Sequence, residues 1–239
     1  MSGYKRFFIQ PDELYGNKAE IRSAHNYISR VLRMRVGDKI VLCTQDGNDN
    51  LSEIVKIDNN AVYCNVLQTT KGQNESNKEL SLFFGVMKGD KNDFVVQKAV
   101  ELGVKNIYLF HSRYCVSDVS DNKLERLRKI SASACEQCGR SVMPKVEYLD
   151  NFKSVANLAL ASDNVLFCYE NEQTKAFATC LKDCPSTSII VGSEGGFSDE
   201  EVQLFEGTHA QTVSLGKRIL RAETASVFVL SVYNALVGD

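Results

Sequence analysis

Ser188-Ile189-Ile190-Val191-Gly192-Ser193-Glu194-Gly195-Gly196-Phe197 decides the reading of this chain, because an apolar, β-branched run breaks there into glycine. Backbone without a Cβ can come close to a ligand, so a strand ending in glycine is a natural place for one to bind. The same transition recurs downstream, where Ser214-Leu215-Gly216-Lys217-Arg218-Ile219-Leu220-Arg221-Ala222-Glu223-Thr224-Ala225 follows a short strand. Two such loops can cradle one cofactor, which places the expected active site near the C-terminus.

Moving outward, residues 165–169 form a third strand running into Glu170-Asn171-Glu172, and all three transitions are expected to line one sheet edge. Ser198 and Glu201 fit a capping box that starts a helix directly after the glycine loop, and residues 224–237 read as a terminal helix ended by Gly238. Upstream, a strand over 80–86, a helix over 93–102 capped by Asp93 and Gly103, and a strand over 104–110 make a βαβ unit. A helix over 121–138 aligns Leu124, Leu127, Ser131, Ala134 and Cys138, and another follows over 151–161. Such alternation predicts an α/β fold with a mostly parallel sheet, whose ligands sit beyond the carboxyl ends of its strands.

The N-terminal part reads differently. A strand over 4–9 precedes a predicted amphipathic helix over 20–33 with Ile21, Ala24, Ile28, Val31 and Leu32 inward. Short strands over 39–44, 51–57 and 61–67 are separated by two polar turns, giving a small antiparallel barrel or sheet. Residues 69–78 contain no apolar side chain, so the division is expected as 1–70, a linker 71–79, and 80–239.

The 239 residues are 44% hydrophobic, which is ordinary for a globular protein. No run of eighteen apolar residues occurs, and Lys5, Arg6, Asp12 and Glu13 interrupt the start, so neither a membrane span nor a secretory signal is expected. A cytoplasmic location follows as the expectation, with the eight cysteines as thiols. A net charge of −2 argues against indiscriminate nucleic-acid binding, yet Arg22, His25, Arg30, Arg33 and Arg35 lie in a stretch free of acids. That stretch is either a solvated charged face or a binding one.

No G-x-G-x-x-G or G-x-x-x-x-G-K-[ST] spacing is present, which disfavours dinucleotide and phosphate-donor folds and, with them, a nucleotide-dependent oxidoreductase. Cys135/Cys138 and Cys180/Cys184 raise a zinc or redox alternative, but the first pair is placed mid-helix, and His111 and His209 have no partner at ligand spacing. No metal is expected.

Gly-Ser-Glu-Gly-Gly-Phe-Ser with the downstream Leu-Gly-Lys-Arg-Ile-Leu-Arg-Ala-Glu-Thr-Ala resembles the RsmE family, SPOUT-class methyltransferases of small-subunit ribosomal RNA. The likeness extends through Lys88-Gly89-Asp90-Lys91, Gln97–Gly103, Glu136–Arg140 and Arg6-Phe7-Phe8, and so spans nearly the whole chain. One departure is Ser193, where the family loop usually carries proline; serine takes the same path but is less pre-set in φ.

The resemblance implies an N-terminal PUA-like β-barrel, a C-terminal SPOUT-type α/β domain with a trefoil knot, a homodimer, and S-adenosylmethionine as cofactor. Only the likeness licenses the knot, since ordinary topology rules exclude it. The implied reaction is methyl transfer to N3 of a uridine in 16S ribosomal RNA. That chemistry needs the imide deprotonated, the nitrogen in line with the methyl, and the charge on the flanking carbonyl oxygens stabilised.

Arg221 is assigned that last role, being planar and permanently charged. Glu223 is left to orient Arg221 or receive the proton, and Glu194 to do either or to cap its own loop. The cofactor is expected against Gly192, Ser193, Glu194, Gly195, Gly196, Leu215, Gly216, Ile219 and Leu220, with Cys168-Tyr169-Glu170 closing the third side. RNA contacts are expected at Arg6, Arg22, His25, Arg33, Lys88, Lys91, Gln97, Lys98, Gln137 and Arg140. The alternative is a non-catalytic RNA-binding homologue of the same fold.

Overall fold

The computed structural model describes residues 3–238, which form two compact units. One comprises the chain up to Glu75 together with Ala132–Met143; the other comprises Ser76–Ser131 and everything from Pro144.

The first unit is a six-stranded sheet of β1 (Lys5–Phe8), β2 (Leu14–Tyr15), β3 (Lys18–Ile21), β4 (Lys39–Cys43), β5 (Asn48–Ile57) and β6 (Val62–Lys71), in the order β1-β4-β5-β6-β3-β2. All its pairings are antiparallel except β1 with β4. Phe7, Ile21, Ile28, Ile40, Leu42, Ile54 and Val62 point into one core. The β5–β6 turn forms because the Asp58 carboxylate accepts the backbone N–H groups of Asn60 and Ala61 at 3.0 Å each.

The predicted helix over 20–33 is shortened. Its first two residues belong to β3, where Ile21 pairs with Val62, and the helical stretch covers only 25–31, ending in the π-helix Tyr27–Val31. The Glu13 carboxylate fixes the bend after β3: it accepts the N–H of Arg22 at 2.6 Å, the N–H of Ser23 at 2.7 Å and the Ser23 hydroxyl at 2.6 Å. The apolar spacing reflected burial from two different elements, and Val31, expected inward, is 66% exposed.

The expected division is also corrected. β6 continues to Lys71, β7 starts at Glu79, and Ala132–Met143 belongs with the first unit. The tie is polar: the Glu75 carboxylate accepts from Arg140 Nη2 at 2.9 Å and from the N–H groups of Ser141 at 2.9 Å and Val142 at 3.0 Å.

The second unit runs β7 (Glu79–Gly85), α1 (Lys91–Glu101), β8 (Asn106–Phe110), α2 (Asp121–Cys138), β9 (Lys145–Leu149), α3 (Phe152–Ala159), β10 (Asn164–Cys168), α4 (Phe177–Cys180), β11 (Ser186–Val191), α5 (Asp199–Gln203), β12 (Gln211–Val213) and α6 (Ala222–Leu236). The last turns of α2 are those that count with the first unit. The sheet is wholly parallel, in the order β12-β10-β11-β7-β8-β9. β7, β10 and β11 are buried almost throughout, as strands covered on both faces must be. Phe83, Phe110, Phe152, Phe167, Phe197 and Phe205 share the core, with the Phe167 and Phe197 rings 4.4 Å apart.

Helix ends are set locally. Asn151 caps α3 by accepting the Ser154 N–H, and Ser198 with Glu201 makes the expected capping box of α5. Asp93 is not the cap of α1, which starts two residues earlier; the buried Asn92 carboxamide instead bonds both N and O of Met87, at 3.0 and 2.7 Å.

Candidate active site

β10, β11 and β12 are neighbours at one edge of the parallel sheet, so the three strand-to-loop transitions come together as expected. Between them lies a cleft of about 300 Å³ walled by Cys168, Tyr169, Glu170, Gly192, Ser193, Glu194, Gly196, Leu215, Gly216, Ile219, Leu220 and Arg221. Of the residues expected at the cofactor only Gly195 is absent from this wall. A Cβ on Gly195 would fall 2.6 Å from Tyr114 Cβ, so it faces outward.

The glycines serve close approach. A Cβ on Gly192 would meet the Phe197 ring at 3.0 Å, and one on Gly196, where φ is +70°, would meet the Glu170 carboxylate at 3.1 Å. The end of β7 makes the same allowance. A Cβ on Gly85 would lie 2.4 Å from Ser193 N and 2.9 Å from its Cα. Gly85 escaped sequence reasoning, although a glycine closing an apolar strand signals the approach of another backbone. Arg218, which also lines the cleft, was missed beside Arg221.

Arg221 is the N-cap residue of α6, is exposed, and its guanidinium makes no ion pair among the described residues. The two carboxylates divide. Glu194 lines the cleft and Glu223 does not. Lys91 stands between them, its Nζ 2.9 Å from Glu194 Oε1 and 3.7 Å from Glu223 Oε2. Burial alone would raise the Glu194 carboxyl, but the Lys91 ammonium and the backbone N–H groups of Glu194 itself and Lys88 outweigh it and hold it below the ordinary value. Ser193 Oγ and Glu223 Oε2 are buried here without a hydrogen bond among the described residues. Burial pushes the Cys168 thiol up, so it remains a neutral wall residue.

The residues expected on RNA separate by exposure. Arg33, Lys88, Gln97 and Gln137 are exposed, and Arg22 is exposed beside Asp12 at 3.4 Å. Lys98 leans on Glu101 at 2.8 Å. Three others are corrected by burial, since phosphate contact needs a group in solvent. Arg6 is 9% exposed and forks onto Asp49, Arg140 is 3% exposed on Glu75, and His25 is 7% exposed with Nε2 2.9 Å from the Asp58 carbonyl oxygen. Lys91 is committed to Glu194. Among the described residues no group of His, Cys, Asp and Glu is arranged to hold a metal, and no helix is long and apolar enough to cross a membrane.

A parallel α/β sheet with a glycine-walled cleft at its strand ends, in a chain that also holds a small β unit, matches known proteins in both parts. The RNA methyltransferase domain family matches residues 74–234, and the RNA methyltransferase PUA domain matches residues 25–67. The ribosomal RNA small subunit methyltransferase E of Bacillus subtilis is 31% identical over 86% of this chain and 85% of its own length. That of Borreliella burgdorferi, numbered 2, is 29% identical over 98% of both. Among solved structures, ribosomal RNA small subunit methyltransferase E from Neisseria gonorrhoeae bound to S-adenosylmethionine superposes with a TM-score of 0.88 at 28% identity, covering 99% of each chain. A methyltransferase from Legionella pneumophila with bound S-adenosylmethionine does so at 0.89 and 28%, again over 99% of each.

The fold and cleft therefore define an RNA methyltransferase with a PUA domain. Within that class, the chain belongs to the ribosomal RNA small subunit methyltransferase E family, the RsmE family of the sequence resemblance. These relatives favour a catalytic protein over a non-catalytic RNA-binding homologue.

Proposed function

We propose that this chain transfers the methyl group of S-adenosylmethionine to N3 of a uridine in the 16S ribosomal RNA of the small subunit. The observation that carries the reading is the cleft itself, lined by bare glycine backbone from one loop and, from the other, by a guanidinium that makes no ion pair among the described residues.

The residues present fit a nucleoside sulfonium. Gly192 and Gly196 line the cleft with bare backbone, Ile219 at its edge is 87% exposed, and Ser193 Oγ is a buried polar atom without a hydrogen bond among the described residues. Bound there, S-adenosylmethionine supplies an activated methyl group. The proposed role of Arg221 is to hold the charge that grows on the uracil oxygens. A carboxylate kept below the ordinary range is a poor proton acceptor near neutral pH, so Glu194 is assigned to fixing its loop through Lys91 and the backbone. Glu223 acts behind it, on Lys91.

The exposed Arg22, Arg33, Lys88, Gln97 and Gln137 are the proposed RNA contacts. The homodimer is proposed on the packed pair α1 and α6, where Phe94 and Phe228 remain 45% and 40% exposed. A trefoil knot is proposed for the crossing after β11, since the chain passes β10 to reach β12 and then returns as α6 onto β11 and β7. A cytoplasmic location accords with a ribosomal substrate.

Mapping modified uridines in ribosomal RNA from cells with and without this chain tests the reading. A 3-methyluridine in 16S RNA that disappears with the chain is expected. An identical modification map would refute it.

A further inference from the structure

Tyr114 occupies the outer flank of the glycine loop, on the side away from the cleft wall. Its Cβ and carbonyl oxygen sit where a Cβ on Gly195 would go, at 2.6 and 3.0 Å, so Gly195 is required by this neighbour rather than by the cofactor. The turn that carries it is fixed. Cys115 N–H donates to the Ser112 carbonyl at 3.0 Å, and Arg113 N–H donates at 2.8 Å to Glu201, which is 7% exposed and locked in the capping box with Ser198.

Rigid backbone here carries loose side chains. Tyr114 is 51% exposed, and its ring has no aromatic or cationic partner and its hydroxyl no hydrogen bond among the described residues. Arg113 beside it is exposed and makes no ion pair among them. Packing explains the backbone but leaves the ring without a role, and the guanidinium acts within the chain only as one of the charges favouring the ionised Glu200.

Resting on the methyltransferase reading above, we propose that Tyr114 is an RNA contact that stacks on an unpaired base next to the methylation site, with Arg113 pairing to the adjacent phosphate. The chemistry requires it locally. A uridine whose N3 is to be methylated must leave its pairing, and its strand neighbours then present open faces. An aromatic ring held at the rim of the reactive loop gives such a face a platform, and a neighbouring guanidinium supplies the charge that a bare ring lacks.

The test measures RNA affinity, the KM for small-subunit RNA and the affinity for S-adenosylmethionine in the full chain with Tyr114→Phe, Tyr114→Leu and Arg113→Gln. Tyr114→Leu keeps the packing against Gly195 and removes the stacking face. It is expected to weaken RNA binding and raise the KM by about 5- to 150-fold, the range of one base stack, with cofactor affinity unchanged and Tyr114→Phe like the parent. Arg113→Gln is expected to lower the salt slope of RNA binding by about one unit.

An RNA affinity for Tyr114→Leu equal to the parent's overturns the proposal. So does an equal loss of cofactor affinity, which would make the ring a structural prop. If the parent binds RNA without methylating it, the methyltransferase reading fails while the stacking contact is still decided by the affinities. If the parent binds no RNA, both fall.

Discussion

Lys91 Nζ lies 2.9 Å from Glu194 Oε1, so the start of α1 is tied to the glycine loop by a charged hydrogen bond, with Glu223 Oε2 3.7 Å behind. The pairing shifts both partners, Glu194 below 4.5 and Lys91 above 10.5. A lowered carboxyl contributes stability that is present above its unfolded-state value and lost as pH falls through its folded-state one. A raised amine contributes stability present below its unfolded-state value and lost as pH rises past the folded one. Lys91→Met should therefore melt below the parent by a constant margin between these limits, with the gap closing in acid below 4.5 and again above 10.5. Melting curves across pH check this, and a gap as large at pH 3 as at neutrality would exclude the pairing as its cause.

Arg221→Ala should leave the fold intact, because the side chain is exposed and makes no ion pair among the described residues. Its proposed work is done only when charge develops on the base. Turnover should fall by about 10²- to 10³-fold, while the dissociation constant for S-adenosylmethionine changes by no more than a few fold. Methylation of small-subunit particles alongside calorimetric titration of the cofactor separates the two. Parental turnover would remove Arg221 from the mechanism.

What could be read from the chain followed from periodicity and glycine. β10, β11 and β12 announced themselves because each breaks off abruptly at its end, two of them soon followed by glycine, and α2 was legible over all of Asp121–Cys138 because Leu124, Leu127, Ser131, Ala134 and Cys138 recur at helical spacing. Polar ties were not legible. Nothing in the spacing shows that Glu13 accepts the N–H groups of Arg22 and Ser23 and so fixes a bend where one long helix was expected. Nor does it show Glu75 reaching across 65 positions to Arg140. The same blindness assigned Arg6, His25 and Arg140 to RNA, since a buried and an exposed basic residue look alike in sequence. At the cleft, apolar and glycine positions were found, whereas Gly85 and Tyr114 were missed because their significance lies in what each stands against.

The burial of Arg140 separates a structural charge from a binding one. Glu75→Gln leaves the Arg140 guanidinium, only 4% exposed, without its carboxylate, and should lower unfolding stability by about 3 kcal/mol. The salt slope of RNA binding should stay as it was. Lys88→Met, at an exposed position, should do the reverse, lowering the slope by about one unit with stability held within about 0.5 kcal/mol. Denaturant titration and RNA binding at several salt concentrations distinguish them. A slope lowered by Glu75→Gln would return Arg140 to the RNA contacts.

Gly85 holds the cofactor loop from behind, and its replacement should be felt in binding. An alanine Cβ would sit 2.4 Å from Ser193 N and 2.9 Å from Ser193 Cα, and main chain cannot swing aside as a side chain can. Gly85→Ala should cost about 1–3 kcal/mol of stability by overpacking. Because the displaced atoms belong to the cleft wall, affinity for S-adenosylmethionine should drop by about tenfold or more. Gly207→Ala supplies the comparison: φ there is +71° and a Cβ meets nothing within 4 Å, so its cost is backbone strain alone, about 1 kcal/mol. Cofactor affinity should be untouched by that change. Equal affinities in the two variants would show that the β7 end does not set the position of the loop.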